Sequence, residues 1–268
     1  MNTQPKRPVW KWILLFVGAS FLAFLGYGVL QSVFLVTDWV GVPALLIIPP
    51  VVYLGLYALL VRWFEKKWPT DLPSHRLVPH TLLGLLVGFV FMVMVVSVIT
   101  AMGYAEEYWS TFSWQEQLGA ILLFLMVAVG EEVLARGVIF RIIDERWGTW
   151  IALLVSALIF GIGHLPNDNS SWWSSFAIAI EAGLLLGAAY KWSGNLWVPI
   201  GIHWAWNYTQ GSIFGLAVSG NTIESHVLTT TVDGPEIITG GAFGPEASII
   251  TVILGLIFTL VLLSNCRR

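Results

Sequence analysis

Residues 117–140 read Gln-Leu-Gly-Ala-Ile-Leu-Leu-Phe-Leu-Met-Val-Ala-Val-Gly-Glu-Glu-Val-Leu-Ala-Arg-Gly-Val-Ile-Phe. A helix needs ~20 predominantly apolar residues to cross a bilayer, and this run is long enough. It also carries Glu131, Glu132 and Arg136. An ionisable group at the centre of a spanning helix costs about 2.5–3.5 kcal/mol on insertion scales, and such groups are usually paired, line a wet cavity and mark function. The stretch therefore poses two questions together: how the chain crosses the membrane, and what its carboxylates do there.

Composition answers the first. Of 268 residues 57% are hydrophobic and 11% charged, against about 25% charged in a soluble domain, so the chain reads as an integral membrane protein. Eight apolar segments are expected to span, at 12–36, 41–63, 79–102, 117–140, 148–165, 173–190, 196–217 and 247–264. The first is too long for a signal-peptide core and lacks a small-residue cleavage site, which predicts a retained span. Pro49-Pro50 predicts a kink in the second. The fold class is therefore all-α, a polytopic bundle, with residues 1–268 as one membrane domain.

All 13 Lys and Arg fall on one side if eight spans alternate. Lys6, Arg7 and Lys11 precede the first; Arg62, Lys66, Lys67 and Arg76 lie between the second and third. Arg136, Arg141 and Arg146 close the fourth, Lys191 follows the sixth, and Arg267 and Arg268 end the chain. The positive-inside rule then puts both termini in the cytoplasm and the polar, Gly/Thr-rich loop 218–246 on the other side. The expected location is the inner or plasma membrane of a bacterial cell, with lipid as a partner. No basic cluster is interleaved with aromatics, so nucleic acid is not an expected partner. One cysteine, Cys266, excludes an intramolecular disulfide.

The chemistry starts at the paired acids. Glu132 and Arg136 are four apart and share a helix face. Glu131 points about 100° away and has no cation at the equivalent spacing. Glu132 is expected to neutralise or orient Arg136, leaving Glu131 free as a general base; an Arg–Glu network that only locks helices together is the plain alternative. Phe160-Gly-Ile-Gly-His164 places an aromatic and a histidine one turn apart, and His203-Trp-Ala-Trp-Asn207 places a histidine and an amide on one face. Alone, the first is equally an interfacial histidine and the second an interhelical hydrogen-bond pair, worth ~0.6 kcal/mol. Together with the acids they suit a hydrolytic site, with water held by Glu131 and His164 facing donors from His203 and Asn207. Depth fits imperfectly. At 1.5 Å per residue Glu131 is ~15 Å from Arg141 and His203 ~12 Å from Asn195, whereas His164 is ~26 Å from Trp147. There is no His-Glu-x-x-His zinc helix, no aspartate pair in a span and no Gly-x-Ser-x-Gly elbow. Two His and a Glu could still ligate zinc.

In order, Glu131-Glu132-x-x-x-Arg136, Phe160-x-x-x-His164 and His203-x-x-x-Asn207 resemble the signature of the CPBP family, the CAAX proteases and bacteriocin-processing enzymes also called the Abi family. Arg136-Gly137, Ala182-Gly-Leu-Leu-Leu-Gly187 and Leu196-Trp197-x-Pro199-Ile200 match as well, so the likeness covers about residues 117–210. It implies an eight-span intramembrane endopeptidase built around an embedded cavity. Glu131 and His164 would activate water, His203 and Asn207 would bind the oxyanion, and Glu132, Arg136 and Phe160 would support them. It implies a glutamate-dependent reaction without a cofactor; zinc on Glu131, His164 and His203 is the alternative. The substrate would be a peptide or membrane protein, possibly lipid-modified.

A competing reading comes from Gly240-Gly-Ala-Phe-Gly-Pro-Glu246, which resembles an anion-site motif of chloride channels. With Glu181 in the sixth span it allows an ion or solute transporter, although Glu246 is also explained as a macrodipole-favoured acid at a helix start. A catalytically inactive membrane scaffold is the third possibility.

Overall fold

The computed structural model describes Gly18, residues 47–223 and residues 225–266. The expected span 12–36 lies outside the described residues except for Gly18, as do Lys6, Arg7, Lys11, Arg267 and Arg268. Helix α1 runs Ile48–Glu65 with proline in its first turn. Pro49-Pro50 therefore starts the helix rather than kinking it, because a first-turn residue has no intrahelical N–H bond to lose. Helix α2, Leu77–Ala101, is followed by strand β1, Ala105–Trp109. Helix α3 is continuous over Trp114–Trp147, with a π-helical stretch at Val133–Phe140. It turns at Gly148, whose φ of 89° favours glycine, into α4, Thr149–Gly163.

Helix α5 covers Trp172–Ser193. Ser171 opens it with a capping box on Ser174, and a π-helical turn at Ala179–Leu184 interrupts it. Helix α6, Trp197–Tyr208, continues through a third π-helical turn, Thr209–Ile213. Strand β2, Leu228–Val232, pairs antiparallel with β1, Ala105 opposite Val232 and Trp109 opposite Leu228. Helix α7 is Ile249–Ser264.

Four of these helices, Ile48–Glu65, Ser74–Ala101 (α2 with a preceding 3-10 turn), Trp114–Trp147 and Trp172–Ser193, are long and apolar enough to cross a membrane. Helices α4 and α7 are shorter apolar helices, and α6 has 12 residues before its π turn. Exposed side chains form apolar stripes: Leu82, Leu86 and Phe89 on α2, Leu154, Leu158 and Ile162 on α4, and Ile253, Leu256 and Leu260 on α7. Soluble monomers rarely expose contiguous apolar surface beyond a few hundred Å²; lipid is the solvent such stripes fit. The all-α expectation needs one correction. The segment after α6 and the α2–α3 connection form a small sheet, for which Thr229, Thr230, Thr231 and Val232 supply β-branched side chains.

Among the described helices α2 and α6 pack backbone to backbone. A Cβ on Gly84 or Gly88 would strike the carbonyl oxygens of Val198 and Ile202, and one on Gly201 would stand 2.5 Å from the Thr81 carbonyl oxygen. Small residues permit such backbone approach in membranes. This contact fixes the height and rotation of the helix carrying His203. Two buried clusters flank α6: Tyr57, Phe140, Leu196 and Ile200 on one side, and Phe91, Val95, Leu186 and Trp206 on the other.

Candidate active site

Helices α3 and α4 form a hairpin about Gly148. Glu131 lies seventeen residues before that glycine and His164 sixteen after it, so both are ~25 Å from the turn at 1.5 Å per residue. This removes the depth mismatch in the sequence reading. From sequence the span ends near Arg141, but α3 continues through Arg141 to Trp147. Helix α6 reaches the same level from a different start. Asn195 and Leu196, just before it, are fully buried. Asn195 Oδ1 accepts the Trp197 backbone N–H at 3.1 Å, and the Leu196 N–H donates to the Asp71 carbonyl at 2.9 Å. The helix thus begins inside the protein, which brings His203 level with His164.

The result is one constellation. Glu131 Oε2 stands 4.0 Å from His164 Nε2 and 4.0 Å from His203 Nε2, too far for direct hydrogen bonds. The Glu131 side chain is 38% exposed, that of His164 15%. His164 Nδ1 lies 2.8 Å from the Phe160 carbonyl oxygen. A carbonyl only accepts, so Nδ1 carries the proton and, in the neutral ring, Nε2 presents its lone pair towards Glu131.

Glu132 does more than pair with Arg136. Its Oε1 accepts from Arg136 Nη1 at 2.7 Å and from His203 Nδ1 at 3.0 Å, and the side chain is fully buried. Arg136 Nη2 donates to the Ala182 and Gly183 carbonyls at 3.1 and 3.0 Å. The guanidinium also sits 4.6 Å from the centre of the Phe160 ring, and that ring is 4.8 Å from the His164 imidazole. Glu132, Arg136 and Phe160 therefore form a buried frame holding both histidines. The His203 contact, across 71 residues of sequence, leaves no local trace in the sequence. The π-helical turns follow Glu132, include Glu181 and follow Asn207 closely; such bulges are frequent at functional sites because they re-aim side chains.

Glu131, His164, His203 and Asn207 line a cavity of about 620 Å³. Its apolar wall includes Phe124, Ile178, Leu186 and Trp206. The loop after α6 completes it: Val218, Ser219, Asn221, Thr222 and Ile223 line the same space. Asn167 Nδ2 ties this loop to the end of α4 through the Ser219 carbonyl at 3.0 Å. Glu246 also belongs to the cavity, although its sequence position suggests the start of the last span. Helix α7 instead begins at Ile249, where Ser248 Oγ accepts the Ile250 N–H. Glu246 lies earlier, in the 3-10 turn Pro245–Ala247, and faces Ser219.

The three residues of the zinc alternative, Glu131, His164 and His203, stand farther apart than a bound zinc would hold them. Tetrahedral zinc with bonds of about 2.1 Å needs its donors ~3.4 Å apart, against 4.0 Å from Glu131 Oε2 to each imidazole. Among the described residues no three His, Cys, Asp or Glu side chains group to hold a metal ion.

Residues 113–209 match the Rce1-like family model, described as type II CAAX prenyl endopeptidase Rce1-like. This segment is similar to the Rce1-like family. The family resemblance drawn from the three motifs is thereby borne out over the stretch that carries Glu131, His164, His203 and Asn207. The chain is similar to "Uncharacterized protein YpbD" of Bacillus subtilis (strain 168), 37% identical over 83 residues, 31% of this chain and 39% of that protein. It is also similar to "Uncharacterized 24.3 kDa protein" of Escherichia coli, 25% identical over 170 residues, 60% of this chain and 76% of the relative. The chain thus spans well under half of YpbD. No solved structure matches.

Proposed function

We propose that this protein is an intramembrane endopeptidase of the CAAX-protease type, hydrolysing a peptide bond with water activated by Glu131 and His164. The observation that carries the reading is the placement of Glu131 Oε2 4.0 Å from both imidazole Nε2 atoms, on a cavity wall within an Rce1-like segment. A water between Glu131 and His164 would give its proton to this pair as its oxygen attacks the scissile carbonyl carbon. The developing oxyanion would be met by His203 Nε2–H and the Asn207 amide. As a donor from Nε2 while bound to Glu132, His203 must carry both ring protons, and the buried Glu132 carboxylate supports that state. Collapse of the tetrahedral intermediate returns the proton to the departing amine. No step requires a metal, and the reading is metal-free.

The protein would act as a multi-pass protein of a bacterial inner or plasma membrane, with eight spans and both termini cytoplasmic. Its substrate would be a peptide or membrane-protein segment. The test is cleavage of quenched-fluorescence peptides by purified wild-type protein and Glu131→Gln: wild type is expected to cleave and the variant to lose activity. Equal activity in both would refute Glu131 as the base.

A further inference from the structure

Two carboxylates on the cavity wall take no part in the hydrolytic constellation. Glu181, in the π-helical turn of α5, is fully buried. Among the described residues neither of its carboxylate oxygens has a hydrogen-bond partner, yet Glu181 lines the same cavity as Glu131. Its backbone is firmly held: a Cβ on Gly255 of α7 would stand 2.7 Å from the Glu181 Cα. Glu246 is 4% exposed. Its Oε2 accepts the Ser219 backbone N–H at 2.5 Å and its Oε1 the Ser219 hydroxyl at 3.2 Å. Glu246 lies within electrostatic range of both Glu181 and His164.

No Lys or Arg lines this cavity among the described residues. The nearby guanidinium of Arg136 is already engaged by Glu132 and two carbonyls. Leaving a buried acceptor unpaired is unfavourable, more so if it is charged, and buried charges are normally paired. A cavity edged by three carboxylates and walled by Leu186 and Ile178 is complementary to a cation with several N–H donors on an apolar stem. Lysine and arginine side chains have this form.

We propose that Glu181 and Glu246 form a subsite for a basic substrate side chain, a lysine ammonium or arginine guanidinium, beside the bond cut at Glu131 and His164. This rests on the proteolytic reading and gives it a substrate class: apolar segments carrying one basic residue near the scissile bond.

The test uses full-length protein in lipid nanodiscs and quenched-fluorescence peptides in which one lysine is walked along an apolar sequence, with norleucine as the neutral counterpart at each place. At one position lysine is expected to raise kcat/KM about tenfold or more over norleucine, mainly through KM. Glu181→Gln and Glu246→Gln should each collapse that ratio, whereas Glu131→Gln lowers cleavage of both peptides together. Binding of the same peptides to Glu131→Gln protein, read by fluorescence anisotropy, keeps the subsite testable apart from turnover. If wild type cleaves nothing, the proteolytic reading fails. The subsite still stands if the lysine peptide binds about tenfold tighter and a second change, Glu181→Gln, removes the preference. Equal handling of lysine and norleucine at every position, or a lysine preference that survives both Glu→Gln changes, overturns the proposal.

Discussion

Glu131 and Glu132 are adjacent in sequence, and replacing each by glutamine is expected to break different properties. Glu131 contacts its two imidazoles only at 4.0 Å and is 38% exposed. Ion pairs of that exposure contribute about 0–1 kcal/mol, so Glu131→Gln should leave the unfolding temperature nearly unchanged. Its turnover should fall by about 10²–10⁴, the usual contribution of a general base, which corresponds to ~3–5 kcal/mol in the barrier. Glu132 is fully buried, and one oxygen accepts from both Arg136 and His203. Glu132→Gln removes the only carboxylate within hydrogen-bond distance of Arg136 among the described residues, leaving the two carbonyls as acceptors. Breaking a buried pair from one side costs about 3–5 kcal/mol, a large fraction of a typical 5–15 kcal/mol stability. At roughly 2–4 °C per kcal/mol, the transition should drop by about 6 °C or more. Both variants are compared with wild type by thermal unfolding in the same detergent and by peptide hydrolysis at saturating substrate. The division of labour is refuted if Glu131→Gln turns over like wild type, or if Glu132→Gln unfolds no earlier than Glu131→Gln.

Asn207→Ala should lower kcat about 10²–10³-fold with little change in KM, as expected for an oxyanion donor; a pure KM effect would assign Asn207 to substrate binding instead. Treatment with a chelator should leave peptide hydrolysis unchanged, and a loss restored by added zinc would reverse the metal-free reading. Gly88→Leu forces a side chain against the Ile202 carbonyl. It should destabilise the protein by about 3 kcal/mol, seen as an earlier thermal transition together with lost hydrolysis, since α6 carries His203; wild-type stability would show that α2 and α6 do not pack this closely.

Several parts of the site were legible because they depend on helix periodicity. Glu132 and Arg136 meet as a four-residue pair, and Phe160 and His164 meet as another. The depth of His164 looks inconsistent in the sequence because the charged stretch Arg141-Ile-Ile-Asp-Glu-Arg-Trp147 reads as the end of the span, whereas α3 continues through it to Trp147 and so sets Glu131 as deep as His164. The kink expected at Pro49-Pro50 failed because a proline's effect depends on its place in the helix, and these lie in the first turn. Gly84 and Gly88 carried a readable signal of close helix approach, four residues apart, but its partner Gly201 is more than a hundred residues away. Glu246 was visible as an odd acid beside an apolar segment. Its place on the cavity wall follows from the loop after α6 folding back so that Ser219 meets it.

The sequence by itself determined that the chain is apolar enough for a membrane, where its long apolar segments lie, and which residues are candidates for the chemistry. Hydropathy and the 3.6-residue period are local quantities, and a run such as 117–140 contains them whole. Only the tertiary structure decided that Glu132 holds His203 as well as Arg136, that Glu131 stands between two imidazoles, and that Glu181 and Glu246 edge the same cavity. Those contacts depend on where each helix begins and how closely its neighbours pack, and such quantities arise between segments rather than within any one of them.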